Sequence, residues 1–284
     1  MNIGLTIAGG MAKGAYEIGA LQALSELIPP EQFKYVSGAS IGAINGFAFC
    51  TGQLELGREL WQSICRPGER LFITQVLRSN RLQDTFTALV EAGKPLQTSF
   101  ITTLYNASRR TLVYKNLSAV DPALLRSYLQ ASVAMPIYNK SVPIGEEAFY
   151  DGAMIDNIPV FPLTEYDLDY VICIYFDEEI YRFETPEFDR KVIRLSFPAV
   201  NVVKQSLVFE RGAVEEMMER GYAHTLEVMK PYLVHGWGDK DTVLAAIEEA
   251  NREETKWKYR ITGDLIVTNL NKVTAKFAKR KIEV

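Results

Sequence analysis

Histidine and cysteine are scarce in this chain, two of the former and three of the latter among 284 residues. Cys50, Cys65 and Cys173 are odd in number and lack C-x-x-C spacing, so they build no disulfide framework and, with so few histidines, no zinc site. Free thiols suit a reducing compartment, and a cytoplasmic setting is expected. Excess charge is lacking too. The 31 basic and 35 acidic side chains leave a formal charge of −4, no field to gather a polyanion, and nucleic acid is not an expected partner. A basic leader is missing: the first positive charge is Lys13, by which point Gly9 and Gly10 have interrupted the apolar run, so no signal peptide is expected. A clean bilayer-spanning run is missing as well. Residues 36–54 are uncharged and long enough to span, but they carry Ser37, Ser40, Asn45, Thr51, Gln53 and four glycines, which suits a buried strand-turn-helix in a soluble protein.

What is present is core material. At 48% hydrophobic and 23% charged, with 14 Phe, 14 Tyr and 3 Trp, the chain buries a sizeable core, and no repeat, low-complexity tract or linker divides it. Residues 3–8 read as a strand ending at Gly9-Gly10, and from Lys13 the apolar residues Ile18, Leu21, Leu24 and Ile28 recur at helical spacing until Pro29-Pro30. The unit repeats: residues 33–37 read as a strand, 38–42 as a sharp turn and 43–49 as a helix. Further strands are expected at 99–105 and 111–115, joined as a hairpin, and at 170–176 and 192–195. Helices are expected at 83–92, 122–131, 203–229 and 242–254. Strands alternating with helices predict an α/β fold of three layers, a mainly parallel sheet between helices, with its site at the carboxyl ends of the strands.

Three motifs carry chemistry. Gly38-Ala39-Ser40-Ile41-Gly42 is the G-x-S-x-G of a nucleophile elbow, in which glycines flank the serine because the turn leaves no room for a Cβ. Such a pattern arises by chance in roughly one chain of this size in ten, so its place between strand and helix is what gives it weight. The bland alternative is a tight turn with an inert serine. Gly9-Gly10-Met11-Ala12-Lys13-Gly14, also between strand and helix, offers several backbone N–H groups at a helix N-terminus and reads as an anion site. The anion is either a nucleotide phosphate or an acyl-transfer oxyanion. A dinucleotide fingerprint needs glycine where Met11 stands, and no ribose-binding acid ends the second strand, so the oxyanion fits better. Lys13 reads as a solvated first-turn residue. Asp151-Gly152-Ala153 follows an apolar strand and by itself is an ordinary turn.

Taken in order and at these separations, the motifs resemble the patatin-like phospholipase family, its bacterial branch included. The resemblance rests on Gly9-Gly10-x-x-Lys13-Gly14-Ala15-Tyr16, Gly38-x-Ser40-x-Gly42, Ala131-Ser132-x-Ala134-x-Pro136, and Asp151-Gly152-Ala153 with Asn157-x-Pro159. It covers residues 3–160 of one domain spanning 1–284; the helix-rich remainder, 161–284, matches only in its alternation of strand and helix. It implies a lipid acyl hydrolase with Ser40 as nucleophile, Asp151 as general base, the amides of Gly9, Gly10 and Met11 as oxyanion hole, and neither metal nor organic cofactor. Lys13, Gly14, Gly38, Gly42, Gly152 and Ala153 would support the motifs. Met11 departs from the family, which usually has a third glycine there.

Two alternatives stand beside this one. His224 and His235 follow Asp151 and fit the chain order of a Ser-His-Asp triad. A noncatalytic lipid-binding or scaffold protein of the same fold has Met11 as its one sequence support. For the acyl chain, the apolar candidates are Phe47, Phe49, Leu71, Phe72, Ile73, Val76 and Leu77, or residues 197–203. Lys272, Lys276, Lys279, Arg280 and Lys281, interleaved with Val273 and Phe277, form a basic tail that would favour peripheral contact with anionic lipid.

Overall fold

The structure, a computed structural model, describes residues 1–79, 81–177, 180–197, 207–234, 236–237, 239–254, 257–260 and 280–283. The chain opens with β1 (Ile3–Ile7), a 3-10 turn (Met11–Lys13) and α1 (Gly14–Leu27), and repeats the unit with β2 (Phe33–Gly38) and α2 (Ile41–Cys50). Next come α3 (Leu54–Ser63), β3 (Arg70–Phe72), α4 (Ile73–Arg78), α5 (Arg81–Glu91) and the hairpin of β4 (Ser99–Asn106) with β5 (Thr111–Asn116). Then α6 (Leu125–Ser132) leads to a second hairpin, β6 (Val142–Ile144) and β7 (Glu147–Asp151). The second half holds β8 (Tyr170–Tyr175), β9 (Ile180–Phe183), α7 (Pro186–Asp189), β10 (Val192–Ser196), β11 (Val208–Glu210) and α8 (Arg211–Met229). It ends with α9 (Lys240–Glu253), β12 (Trp257–Arg260) and β13 (Arg280–Glu283).

The central sheet runs β10-β8-β1-β2-β4-β5-β13, and its first five strands are mutually parallel. Every residue of β1 and β8 is buried, as befits parallel strands covered on both faces. On one face Ile3, Leu5, Ile7, Ile172 and Ile174 share a core with residues of α1, α2 and α8. The other face, with Val171, Cys173 and Tyr175, packs against Ile158, Val160, Leu163 and Phe183, under a 3-10 helix (Phe161–Glu165) and α7. This is the three-layer α/β/α arrangement, long helices on one side and short ones on the other. The contact of α1 with α8 is backbone to backbone. A Cβ on Gly19 would lie 1.9 Å from the Met218 carbonyl oxygen, and one on Gly221 2.1 Å from that of Tyr16.

The expected strands and helices of the first half recur within two or three residues of their bounds. The helix expected over 122–131 divides into a 3-10 turn (Pro122–Leu124), capped by Asp121, and α6. The helix expected from 203 begins at Arg211, because residues 208–210 pair as β11 with β3; residues 203–206 lie outside the described residues. Short strands such as β3, β6 and β9 carry too few residues to declare a period and escape the sequence pattern. Of the basic tail, Arg280 and Lys281 belong to β13, a parallel neighbour of β5. Lys272, Val273, Lys276, Phe277 and Lys279 lie outside the described residues.

Candidate active site

Two strands meet end to end at the centre of the sheet. Along one edge of β4, Gly38 at the end of β2 is opposite Thr102, and Asp151 at the end of β7 is opposite Leu104. The other edge of β4 belongs to β5. The parallel β2 and the antiparallel β7 therefore point their carboxyl ends at each other, two positions apart on a shared strand, a step of about 7 Å. The candidate side chains, Ser40 and Asp151, stand at those two ends.

After β2 the chain turns sharply at Ser40, whose φ of 54° and ψ of −127° lie where an L-residue is strained. Bonds from the Ala39 N–H to the Ile7 carbonyl (3.1 Å), from Gly42 to Ala39 (2.9 Å) and from Ala43 to Ser40 (2.9 Å) hold the turn. No side chain fits beside it: a Cβ on Gly42 would lie 2.5 Å from the Ala8 carbonyl oxygen and 2.6 Å from that of Ile7. At the end of β7, Asp151 is 3% exposed. Its amide donates to the Ala134 carbonyl (2.9 Å), its Oδ1 accepts from the Ala153 N–H (2.9 Å), and the Ser40 hydroxyl is near enough to its carboxyl to lower its pKa. Burial pushes the Asp151 pKa up to about 7 against the opposing pull of the Ser40 hydroxyl and the Ala153 N–H. The elbow serine and the buried acid are thus electrostatic neighbours.

The glycine loop completes the arrangement. A Cβ on Gly9 would lie 2.9 Å from the Ser40 Cβ and 2.4 Å from Asn157 Oδ1, so loop and elbow touch. Asn157 clamps the loop twice: its carbonyl accepts the Gly9 N–H (3.0 Å) and its Nδ2 donates to the Gly9 carbonyl (2.9 Å). The Gly9 amide is thereby spent on the clamp, which leaves Gly10 and Met11 as the loop amides able to meet an anion. Met11 has a φ of 52°, the left-handed backbone that glycine adopts without cost, so the loop keeps a glycine-like path despite the side chain. Nearby, Ser37 Oγ donates to the Pro159 carbonyl (2.7 Å), tying the segment after Asn157 to β2.

A family model described as patatin-like phospholipase matches residues 5–164, more than half of the chain. The chain belongs to that family. As a patatin-like phospholipase it is a lipid acyl hydrolase, and the matched residues hold the glycine loop, the elbow, Asp151 and Asn157. A search of curated protein sequences finds no match. Among solved structures, VipD from Legionella pneumophila is similar with a TM-score of 0.51 at 13% identity, over 88% of this chain and 74% of that one, a likeness of fold. The type III effector protein ExoU is similar with a TM-score of 0.43 at 16% identity, over 81% of this chain and 53% of that one. In complex with SpcU from Pseudomonas aeruginosa, ExoU matches with a TM-score of 0.40 at 14% identity, over 89% of this chain and 59% of that one.

Several expectations change in the structure. Lys13 is not solvated: it is 8% exposed, its Nζ lies 5.0 Å from the Phe176 ring centroid, and desolvation lowers its pKa against the opposing pull of Asp177 and Glu17. Burial follows from position, since Lys13 ends the 3-10 turn of the loop and enters α1 from inside the site. His224 Nε2 is hydrogen-bonded to the Ser196 carbonyl (2.9 Å) and its ring packs edge-on against Phe197, so it serves the end of β10 rather than Asp151. His235 lies outside the described residues. Phe47 and Val76 are core, Phe49 meets Phe33 edge-on at 5.0 Å, and Phe72 is 55% exposed on β3. Phe197 is buried against Tyr16 at 5.4 Å, and residues 198–203 lie outside the described residues. Leu77 alone of those candidates borders a cavity of about 220 Å³, walled also by Leu82, Phe86, Val133, Ala134 and Val142. Among the described residues, no group of three His, Cys, Asp or Glu side chains is placed to hold a metal, and no helix is long and apolar enough to cross a membrane.

Proposed function

We propose that the chain cleaves acyl esters of lipids through a Ser40–Asp151 dyad and an acyl-enzyme. The observation that carries this reading is a strained elbow serine whose hydroxyl acts on a buried carboxyl beside the glycine loop. As Ser40 Oγ bonds to the ester carbonyl carbon, its proton passes to Asp151 and the carbonyl electron pair moves onto oxygen, where the Gly10 and Met11 amides receive it. Collapse expels the alcohol, which takes the proton from Asp151. Water then attacks the acyl carbon and gives a proton to Asp151, and Ser40 recovers that proton as the acid departs. An ordinary carboxylate is a feeble base for an alcohol, and the raised pKa of Asp151 narrows that mismatch.

A fluorophosphonate probe is expected to label the wild-type chain and not Ser40→Ala, and hydrolysis of p-nitrophenyl esters is expected to vanish with the label. Folded wild-type protein that takes no label would sink the dyad and leave the noncatalytic lipid-binding reading. The acyl chain is assigned to the cavity beside Ala134, whose carbonyl holds the Asp151 amide. Its wall also carries Gln83, Gln130 and Lys140, polar groups that a long alkyl chain would meet unfavourably. Among p-nitrophenyl esters of graded length, kcat/KM is therefore expected to peak at short or middle chains; a steady rise to the longest would refute the assignment.

A further inference from the structure

Behind the glycine loop, three helices meet at one amide. Asn45 on α2 sits one turn past the elbow, buried among apolar residues, and its three hydrogen bonds are directed inward. Its Nδ2 donates to the Gly14 carbonyl (2.9 Å) and to Glu17 Oε2 (2.7 Å), both on α1, while its Oδ1 accepts from the Trp61 indole N–H on α3 (2.8 Å). An indole N–H can only donate, so it determines which end of the amide is oxygen and turns both amide hydrogens toward α1. Glu17 is wholly buried, and its Oε1 has no partner. A buried polar cluster of this kind costs desolvation, and nearby hydrophobic packing alone would join the helices more cheaply.

The place of the cluster suggests what offsets the cost. α1 begins directly after the 3-10 turn that follows Gly10, and α2 begins directly after Ser40. A Cβ on Gly14 would lie 2.8 Å from the Trp61 ring and 2.9 Å from Ile41 Cγ2, so the two helix starts are in close contact at this point. We propose that Asn45 is a positioning residue, holding the first turn of α1 at a set distance from the first turn of α2 and so fixing the loop amides relative to Ser40 Oγ. It touches no substrate. Apolar contacts tolerate sliding, whereas three directional bonds do not. Displacing a reacting group by about 1 Å can cost on the order of 100-fold in rate. The inference rests on the Ser40–Asp151 reading.

Asn45→Ala, measured with a soluble short-chain ester, is expected to lower kcat at least tenfold with KM within twofold, and to slow fluorophosphonate labelling of Ser40 in parallel. Ile247→Ala on α9, a core truncation away from the cluster, is the control for lost stability: at a comparable fall in Tm it should keep kcat within threefold. Equal losses of kcat in the two variants, or unchanged kcat in folded Asn45→Ala, would overturn the positioning role. If Asn45→Ala does not fold, Glu17→Met decides. It removes an acceptor and a buried unpaired oxygen at nearly constant shape, so Tm should hold or rise while kcat falls at least threefold, and full kcat would reject the proposal. Ser40→Ala run alongside separates the two ideas, since an active Ser40→Ala would remove the dyad whatever Asn45 does.

Discussion

Asp151 is a buried carboxyl opposed by the Ser40 hydroxyl and the Ala153 N–H, and burial prevails in setting its pKa at about 7. As general base it must be ionised, so kcat/KM is expected to fall tenfold per pH unit below about 7 and to level above it. A profile flat down to pH 5 would show that the Asp151 pKa is not raised in the working enzyme. Met11 poses a different question. Its left-handed backbone costs an L-residue about 1–2 kcal/mol, and more where the side chain branches at Cβ. Met11→Ile is therefore expected to lower Tm by several degrees and to slow turnover, while Met11→Gly keeps turnover within threefold of wild type. Equal behaviour of the two in a melting scan and an esterase assay would show that the loop does not depend on this torsion.

At the scale of elements, β4 is the ruler against which β2 and β7 are both registered, and the spacing of Ser40 and Asp151 follows from that register. Gly152 is where the ruler can be disturbed. A Cβ there would lie 2.7 Å from the Leu104 amide nitrogen and 2.7 Å from the Thr103 carbonyl carbon, both backbone of β4, so an added methyl must push the end of β7 away. Gly152→Ala is expected to reduce kcat at least 100-fold, the scale of a misplaced reacting group, at a stability cost of about 1–3 kcal/mol. Full activity in a folded Gly152→Ala chain would show that the dyad spacing has another source. The doubled clamp of Asn157 on Gly9 works on the same scale, joining the segment beyond Asp151 to the loop after β1.

For the molecule as a whole, the acid proposed as base weakens the fold. The folded state holds the Asp151 proton to about 7, the unfolded chain only to about 4, so the folded state binds more protons between those values. Stability is unimpaired below pH 4 and declines as pH rises through that window, by roughly 4 kcal/mol at most, and stays reduced above 7. Asp151→Asn removes that dependence. Its Tm is expected to exceed that of wild type by a margin that widens from pH 4 to pH 7 and then holds, while esterase activity is lost. A margin independent of pH would mean that the carboxyl is not desolvated in the fold.

Much of the fold was written locally. Strand and helix periods marked the first two βα units, the glycines of residues 9–14 and 38–42 marked their turns, and those turns require glycine because backbone passes within a Cβ's reach of backbone. The order of motifs marked the family and pointed to Ser40 and Asp151. Burial and pairing across the chain were not written locally. The lysine that reads as solvated is enclosed because the turn carrying it faces inward, and the Gly9 amide is taken by a carbonyl 148 positions away in sequence. Asn45 looks like any polar residue in an apolar helix until α1 and α3 are packed on α2. Residue type and spacing act over a few positions and determine the turns and periods. The distance between Ser40 and Asp151, the pKa of the acid and the choice of free amides depend on what desolvates and pairs with each group, which only the folded chain decides.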